Sequence, residues 1–296
     1  MISSGIWRLS LHRADPWLRW ASRLAAAVAA LVLVLVVGIV LAGAVPGLQA
    51  FGIGGFLGDA RWQPAAGRVG ALALIAGTAA VTAVALVLAL SAGAAVGIFS
   101  GWLTSGRWAG SVRLIMLVAA GFPSVVIGLW GLTALVPLLA HWRAPGTSLL
   151  AAAIVLAAML TPTIAVIVDA SLRGVSVDQR RAAAALGLST WGCLGAAGWP
   201  ALRQGLLTAG VLASARALGE TMAVMLVAGN VVQFPASLSD PVRTLTGGIA
   251  MEMAYATGTH RSALFTLGLI ALLVVLTLLL WLRWLVPDDR DGVVHV

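Results

Sequence analysis

Five stretches of this chain run for at least 21 residues without one Asp, Glu, Lys or Arg: Leu24–Val45, Val69–Gly106, Leu114–Ala140, Ala144–Val168 and Ser262–Leu282. A helix rises 1.5 Å per residue, so about 20 apolar residues cross a hydrocarbon core about 30 Å thick. A sixth stretch, Gln204–Val232, is apolar except for Arg216 and Glu220 near its middle. The expectation is an all-α, polytopic membrane protein with six spanning helices. Only 9% of the 296 residues are charged, against roughly 25% in soluble domains, so a soluble globule is excluded. The first stretch exceeds the 7–15 residues of a signal-peptide core and reads as a retained span.

The arginines set the expected orientation. All 18 basic residues are Arg. With both termini inside, the inner segments hold twelve of them: Arg8, Arg13, Arg19, Arg23, Arg107, Arg113, Arg173, Arg180, Arg181, Arg203, Arg283 and Arg290. The outer loops hold five, Arg61, Arg68, Arg143, Arg243 and Arg261. That asymmetry satisfies the positive-inside rule and places the chain in a cell membrane with cytoplasmic termini. Trp17, Trp20, Trp102, Trp108, Trp142, Trp281 and Trp284 fall near expected helix ends, as interfacial aromatics do. The organisation read from this is a cytoplasmic segment 1–23, a membrane domain 24–286 with its largest inner loop at about 171–203, and a cytoplasmic tail 287–296. Outer loops are expected at 46–68 and 233–261.

Composition also excludes chemistry. Cys193 is the single cysteine, so neither an internal disulfide nor a cysteine-cluster metal site can form. Without Lys there is no P-loop and no Schiff-base lysine. His12, His141, His260 and His295 all lie outside the spans, and no transmembrane Asp pair or His-Glu-x-x-His occurs, which argues against an intramembrane hydrolase. No catalytic residue, metal site or cofactor is expected.

The inner loop has the grammar of a helix. Ser176 with Gln179 three residues later is a capping box, Asp178 suits the first turn, and Ala182–Ala185 are strong helix formers. Gly187 can take the left-handed cap, a second turn can start at Ser189, and Pro200 fits the first turn of the fifth span. A helix this short is marginal alone, so it should dock, either on inner helix ends of its own chain or on a soluble partner. Gly93, Gly97 and Gly101 form a small-residue ridge expected to pack against another helix.

Arg216 and Glu220, four residues apart, are expected on one helix face as a pair turned away from lipid. An ion at mid-membrane costs about 2.5–3.5 kcal/mol on insertion scales and marks a functional site by default. The guanidinium is a multi-donor fork suited to an oxyanion.

Two resemblances sharpen this. Arg181-Ala182-Ala183, Gly187 and, after nine residues, Ala197-x-Trp199-Pro200 resemble the EAA loop of ABC importer permeases, whose coupling helix docks on an ATPase subunit. Arg181 replaces the usual Glu, and Ala197 and Trp199 replace the usual Ile and Leu. The run Arg216–Val224, continuing to Ala228-Gly229-Asn230, is similar to the PstC permeases of phosphate ABC importers. So are Phe56–Pro64, Gly77-Thr78, Pro123–Val126 with Gly128–Gly131, Pro162–Ile164, Pro241–Thr246 and Ser262–Phe265. The resemblance implies a non-catalytic permease of the type I bundle that imports inorganic phosphate. It implies a heterodimer with a PstA-like permease, two PstB-like ATPase subunits, and a phosphate-binding protein at the outer face. It assigns Arg216 and Glu220 to the substrate pathway, and Arg181, Ala182, Ala183, Gly187 and Pro200 to ATPase coupling. Arg243, beside Asp240, would belong to the outer surface. A permease for another oxyanion and a secondary transporter or channel are the alternatives; the latter would not need the capped inner helix.

Overall fold

A computed structural model describes residues 16–285. Arg8, Arg13, Arg290, His12, His295, most of segment 1–23 and the tail 287–296 lie outside the described residues. The described chain is helical apart from loops and a two-residue-per-strand hairpin, β1 (Trp62–Gln63) and β2 (Arg68–Val69).

The first helix, α1 (Pro16–Leu57), is longer than its apolar stretch at both ends. It absorbs part of the expected N-terminal segment and continues past Pro46 into the expected outer loop, breaking at Gly52, whose φ is +64°. Next comes α2 (Leu72–Ile98), which widens into a π-helical turn, Phe99–Leu103. The third stretch is not one straight span: α3 (Gly106–Ala120) and the segment Ser124–Ala140 meet at 93°. That segment comprises α4 (Ser124–Trp130), a π turn and α5 (Val136–Ala140). Pro123 disfavours helical geometry in the residue before it, which places the corner at Gly121–Pro123.

The centre of the bundle is α6 (Leu149–Arg173), with Ala151, Ala152, Ala153, Val155, Leu156, Leu160 and Ile164 all buried. In lipid the hydrophobic effect does not drive helix association, so close packing of small residues does. The glycine ridge of α2 provides that contact. A Cβ at Gly93 would stand 2.7 Å from Ile164 Cβ, and one at Gly97 would stand 2.6 Å from Val168 Cβ. At Gly101 it would meet Asp169 O at 2.9 Å.

The expected inner loop carries α7 (Val177–Ala185) and α8 (Thr190–Cys193), then a π turn, Leu194–Gly198. The expected fifth span is divided into α9 (Trp199–Gly219) and α10 (Met222–Val227). The expected outer loop 233–261 holds α11 (Leu245–Glu252), and α12 (Gly258–Leu285) ends the described chain beside α1. Four helices are long and apolar enough to cross a membrane, and the bent pair makes a fifth. The six-span expectation therefore rests on α9 and α10, which carry Arg203, Arg216 and a break.

Two apolar cores result. The larger joins α2, α6, α9 and α10; the smaller, with Phe56, Trp62, Leu245 and Leu264, ties the hairpin and α11 to α1 and α12.

Candidate functional site

The break between α9 and α10 places the charged residues of the fifth stretch. Glycine and a β-branched residue are weak helix formers, and Gly219 and Thr221 flank Glu220, whose backbone is extended at φ −72° and ψ 125°. The groups freed by the break find partners. Thr246 Oγ1 donates to the Glu220 carbonyl at 3.2 Å, and Ala223 N–H donates to Glu220 Oε1 at 3.4 Å. Glu220 thus caps α10. It lies off the end of α9, not on a face shared with Arg216, and no ion pair joins the two among the described residues. The expected pair is corrected on this point: helical i,i+4 geometry stops at Gly219.

Arg216 remains in the last turn of α9. Its Nη1 donates to Thr163 Oγ1 of α6 at 3.3 Å, and its side chain is otherwise exposed. Thr163 is near the middle of α6, so this guanidinium sits at mid-bundle level. An exposed cation at that depth costs about 2.5–3.5 kcal/mol if it faces lipid. It must face an aqueous path or another protein surface.

In the loop between α6 and α9, the capping box forms as its sequence requires. Gln179 N–H donates to Ser176 Oγ, and Ser176 N–H donates to Gln179 Oε1, both at 3.2 Å. Gly187 takes the left-handed cap at φ +74°, Ser189 caps α8, and Pro200 sits in the first turn of α9. One face of α7 docks on its own chain through Ala183, which is buried, and Arg180, whose guanidinium carbon lies 4.1 Å from the Trp102 ring centroid. Burial pulls the Arg180 guanidinium below its ordinary value. The opposite face, with Arg181, Ala182, Leu186 and Gly187, is exposed. A cleft of about 640 Å³ opens between the end of α6, the first turn of α7 and the start of α9, lined by Ser171, Gln179, Pro200, Arg203 and Gln204.

Two polar clusters were not anticipated. Asp169 of α6 is buried and accepts from Arg113 Nε at 3.0 Å, Arg113 Nη2 at 3.1 Å and Arg173 Nε at 2.9 Å. The Asp169–Arg173 spacing of four was legible; the Arg113 partner, 56 residues away, was not. At the opposite end of the bundle, Glu252 gathers Trp62 Nε1, Arg243 Nη1 and His260 Nε2, each at 2.8 Å. Arg243 therefore pairs with Glu252, not with Asp240 as its sequence position suggested. Asp240 instead closes the turn 236–240. Hydrogen bonds from Ser237 Oγ, then from the Ser237 and Ala236 amides, hold its carboxyl below the usual carboxylate value. The motif pieces meet here too: Gly77 lies against the Arg243 backbone, and Thr78 Oγ1 accepts from Leu245 N–H at 2.9 Å.

Residues 93–290 match the model of a family described as binding-protein-dependent transport system inner membrane component. The chain is 32% identical over 293 residues to the phosphate transport system permease protein PstC of Mesorhizobium japonicum, covering 90% of this chain and 89% of that one. It is 36% identical over 247 residues to PstC 1 of Mycobacterium tuberculosis, covering 75% and 72%. It is 34% identical over 252 residues to a probable ABC transporter permease, YqgH, of Bacillus subtilis, covering 81% and 82%. Among solved structures, a chain of the MetNI methionine ABC transporter in an inward-facing conformation aligns with a TM-score of 0.55 and 19% identity. That alignment covers 71% of this chain and 91% of the other, a likeness of fold.

Proposed function

The chain belongs to the binding-protein-dependent transport inner membrane components, and from that premise we propose that it is the permease subunit of an ATP-driven importer of inorganic phosphate. The observation that carries the reading is Arg216: an exposed guanidinium at mid-bundle, beside a broken helix. Near neutral pH phosphate carries between one and two negative charges, and a low-dielectric passage for it needs a fixed cation. Arg216 supplies a planar fork for its oxygens, and Thr163 holds that fork in place.

In this reading a PstA-like permease completes the path on the exposed face of α9. Two PstB-like ATPase subunits drive the cycle, one of them receiving the free face of α7 with Arg181, Ala182, Gly187 and the turn ending at Pro200, while Ala183, assigned to the same contact by its motif, is buried against its own chain and seats that helix. A phosphate-binding protein delivers substrate at the outer surface. Residues 24–286 form the membrane domain between a cytoplasmic N-terminal segment and a cytoplasmic tail. The chain itself makes and breaks no covalent bonds. Glu220 serves the path by fixing the break, since its carboxylate occupies the start of α10, and not by neutralising Arg216.

Phosphate uptake normalised to the amount of assembled complex tests this. Arg216→Gln keeps hydrogen-bonding capacity without charge and should abolish uptake while leaving assembly intact. Near-normal normalised uptake would refute the pathway role. Glu220→Gln keeps an acceptor for Ala223 N–H and should retain more uptake than Glu220→Ala.

A further inference from the structure

Three parts of the inner loop meet at one indole. Trp102 stands in the π turn that ends α2. The Arg180 guanidinium of α7 stacks on its ring, 4.1 Å from the centroid. Trp102 Nε1 donates to the Thr190 carbonyl of α8 at 3.2 Å. Gly198, just before α9, approaches so closely that a Cβ there would stand 3.2 Å from the same ring. Arg180 Nη2 also donates to the carbonyls of Leu172, in the last turn of α6, and Gly101, beside Trp102. Neither Arg180 nor Trp102 is one of the motif residues assigned to ATPase docking.

Without these contacts α7 would be a loose element. It has nine residues, joined to α6 through Gly174–Ser176 and to α8 through Leu186–Ser189 with its left-handed Gly187. A helix of that length has little rigidity of its own. The last carbonyls of α6 carry the negative end of the helix dipole, so a cation is suited to Leu172 O, which also accepts a long bond from Val175 N–H at 3.3 Å. Stacking on the indole face adds the attraction of its quadrupole.

We propose that the Arg180–Trp102 stack is a strut that makes α2 and α6 follow α7 instead of letting α7 hinge away from them. Arg180 and Trp102 are then positioning residues for transport, and the proposal rests on the reading of this chain as an ATP-driven permease. The linkage reaches the candidate pathway. Leu172 is nine residues from Thr163, about 13.5 Å along α6 at the helical rise, and Thr163 holds Arg216. Displacement of α7 is thereby delivered at the depth of the charged site.

The test uses the full complex in proteoliposomes, with phosphate moved per ATP hydrolysed as the readout. Arg180→Ala and Trp102→Leu should assemble and hydrolyse ATP at close to the normal rate, while the ratio falls about five-fold or more. The double variant should be no worse than either single, because both remove the same contact. In a Cys193→Ser background, Arg180→Cys with Trp102→Cys should lose the ratio and regain it when a short bifunctional thiol reagent bridges the two after assembly. An unchanged ratio in Arg180→Ala, or no recovery on bridging, overturns the strut. If those variants fail to assemble, a nitroxide at Leu186→Cys in the full chain in nanodiscs decides. Its motion should increase in Trp102→Phe and Arg180→Lys, and an unchanged line shape overturns the proposal. A native complex that moves no phosphate would refute the phosphate reading, and the nitroxide would still judge the strut.

Discussion

Removing Arg113 should destabilise the chain more than neutralising Asp169. The Asp169 side chain is 2% exposed, whereas Arg113 and Arg173 are 28% and 48% exposed. Breaking a fully buried ion pair from one side costs about 3–5 kcal/mol, because a buried charge is left uncompensated. In Arg113→Met the buried carboxylate keeps only Arg173, so roughly half that penalty, about 2 kcal/mol, is expected. In Asp169→Asn the two half-open guanidinium groups can turn to water and the amide oxygen still accepts, so the loss is about 1 kcal/mol. Arg113→Met with Asp169→Leu removes both sides of the main pair and should lie within about 1 kcal/mol of the native chain. At about 2–4 °C per kcal/mol, the melting temperature should fall about 4–8 °C for Arg113→Met and about 2–4 °C for Asp169→Asn. Thermal unfolding in detergent, followed through the 12 tryptophans, measures this. A larger drop for Asp169→Asn, or a double variant no more stable than Arg113→Met alone, would refute the argument that burial of the carboxylate sets the cost.

Gly97→Leu should prevent α2 from seating on α6, because even a Cβ meets Val168 Cβ at 2.6 Å and Ala165 O at 2.8 Å; overpacking of about 1–3 kcal/mol should appear as a lower melting temperature, and an unchanged one would contradict the ridge. In a Cys193→Ser background, a cysteine at Ser237 should react with an impermeant thiol reagent in intact cells and one at Leu186 should not; the reverse pattern would invert the membrane orientation. The Asp240 carboxyl is held below its ordinary value of 3.8, so its contribution to the turn 236–240 is present above that pH and is lost as pH falls through its lower folded value. A nitroxide attached beforehand at Ser239→Cys in the Cys193→Ser background should therefore become more mobile in strong acid, and Asp240→Asn should raise its mobility at neutral pH and flatten that dependence; an unaltered acid profile in Asp240→Asn would assign the transition to another group.

Local signals were legible residue by residue. The apolar stretches located the helices, Ser176 and Gln179 announced α7, Gly187 its cap, Pro200 the start of α9, and the Gly93–Gly97–Gly101 spacing a packing ridge. Each depends on groups within about two helical turns, where backbone geometry determines which atoms can meet. The motif run after Arg216 located the candidate site, and the pathway residues came from it and from the cost of charge in the apolar stretch.

Long-range partners were a different matter. The 93° corner before Ser124 and the break after Gly219 interrupt stretches whose composition reads as continuous, because hydropathy counts apolar residues and is blind to where a backbone turns. The break persists because Thr246, 26 residues on, takes the Glu220 carbonyl. Arg243 had an acidic neighbour at Asp240 and pairs with Glu252, while Trp102 had the position of an interfacial aromatic and anchors the inner loop. In each case the partner is brought by another helix. Periodicity and capping are written in neighbouring residues, whereas the choice among distant polar partners is made only when packed helices place one of them within 3 Å and exclude the rest.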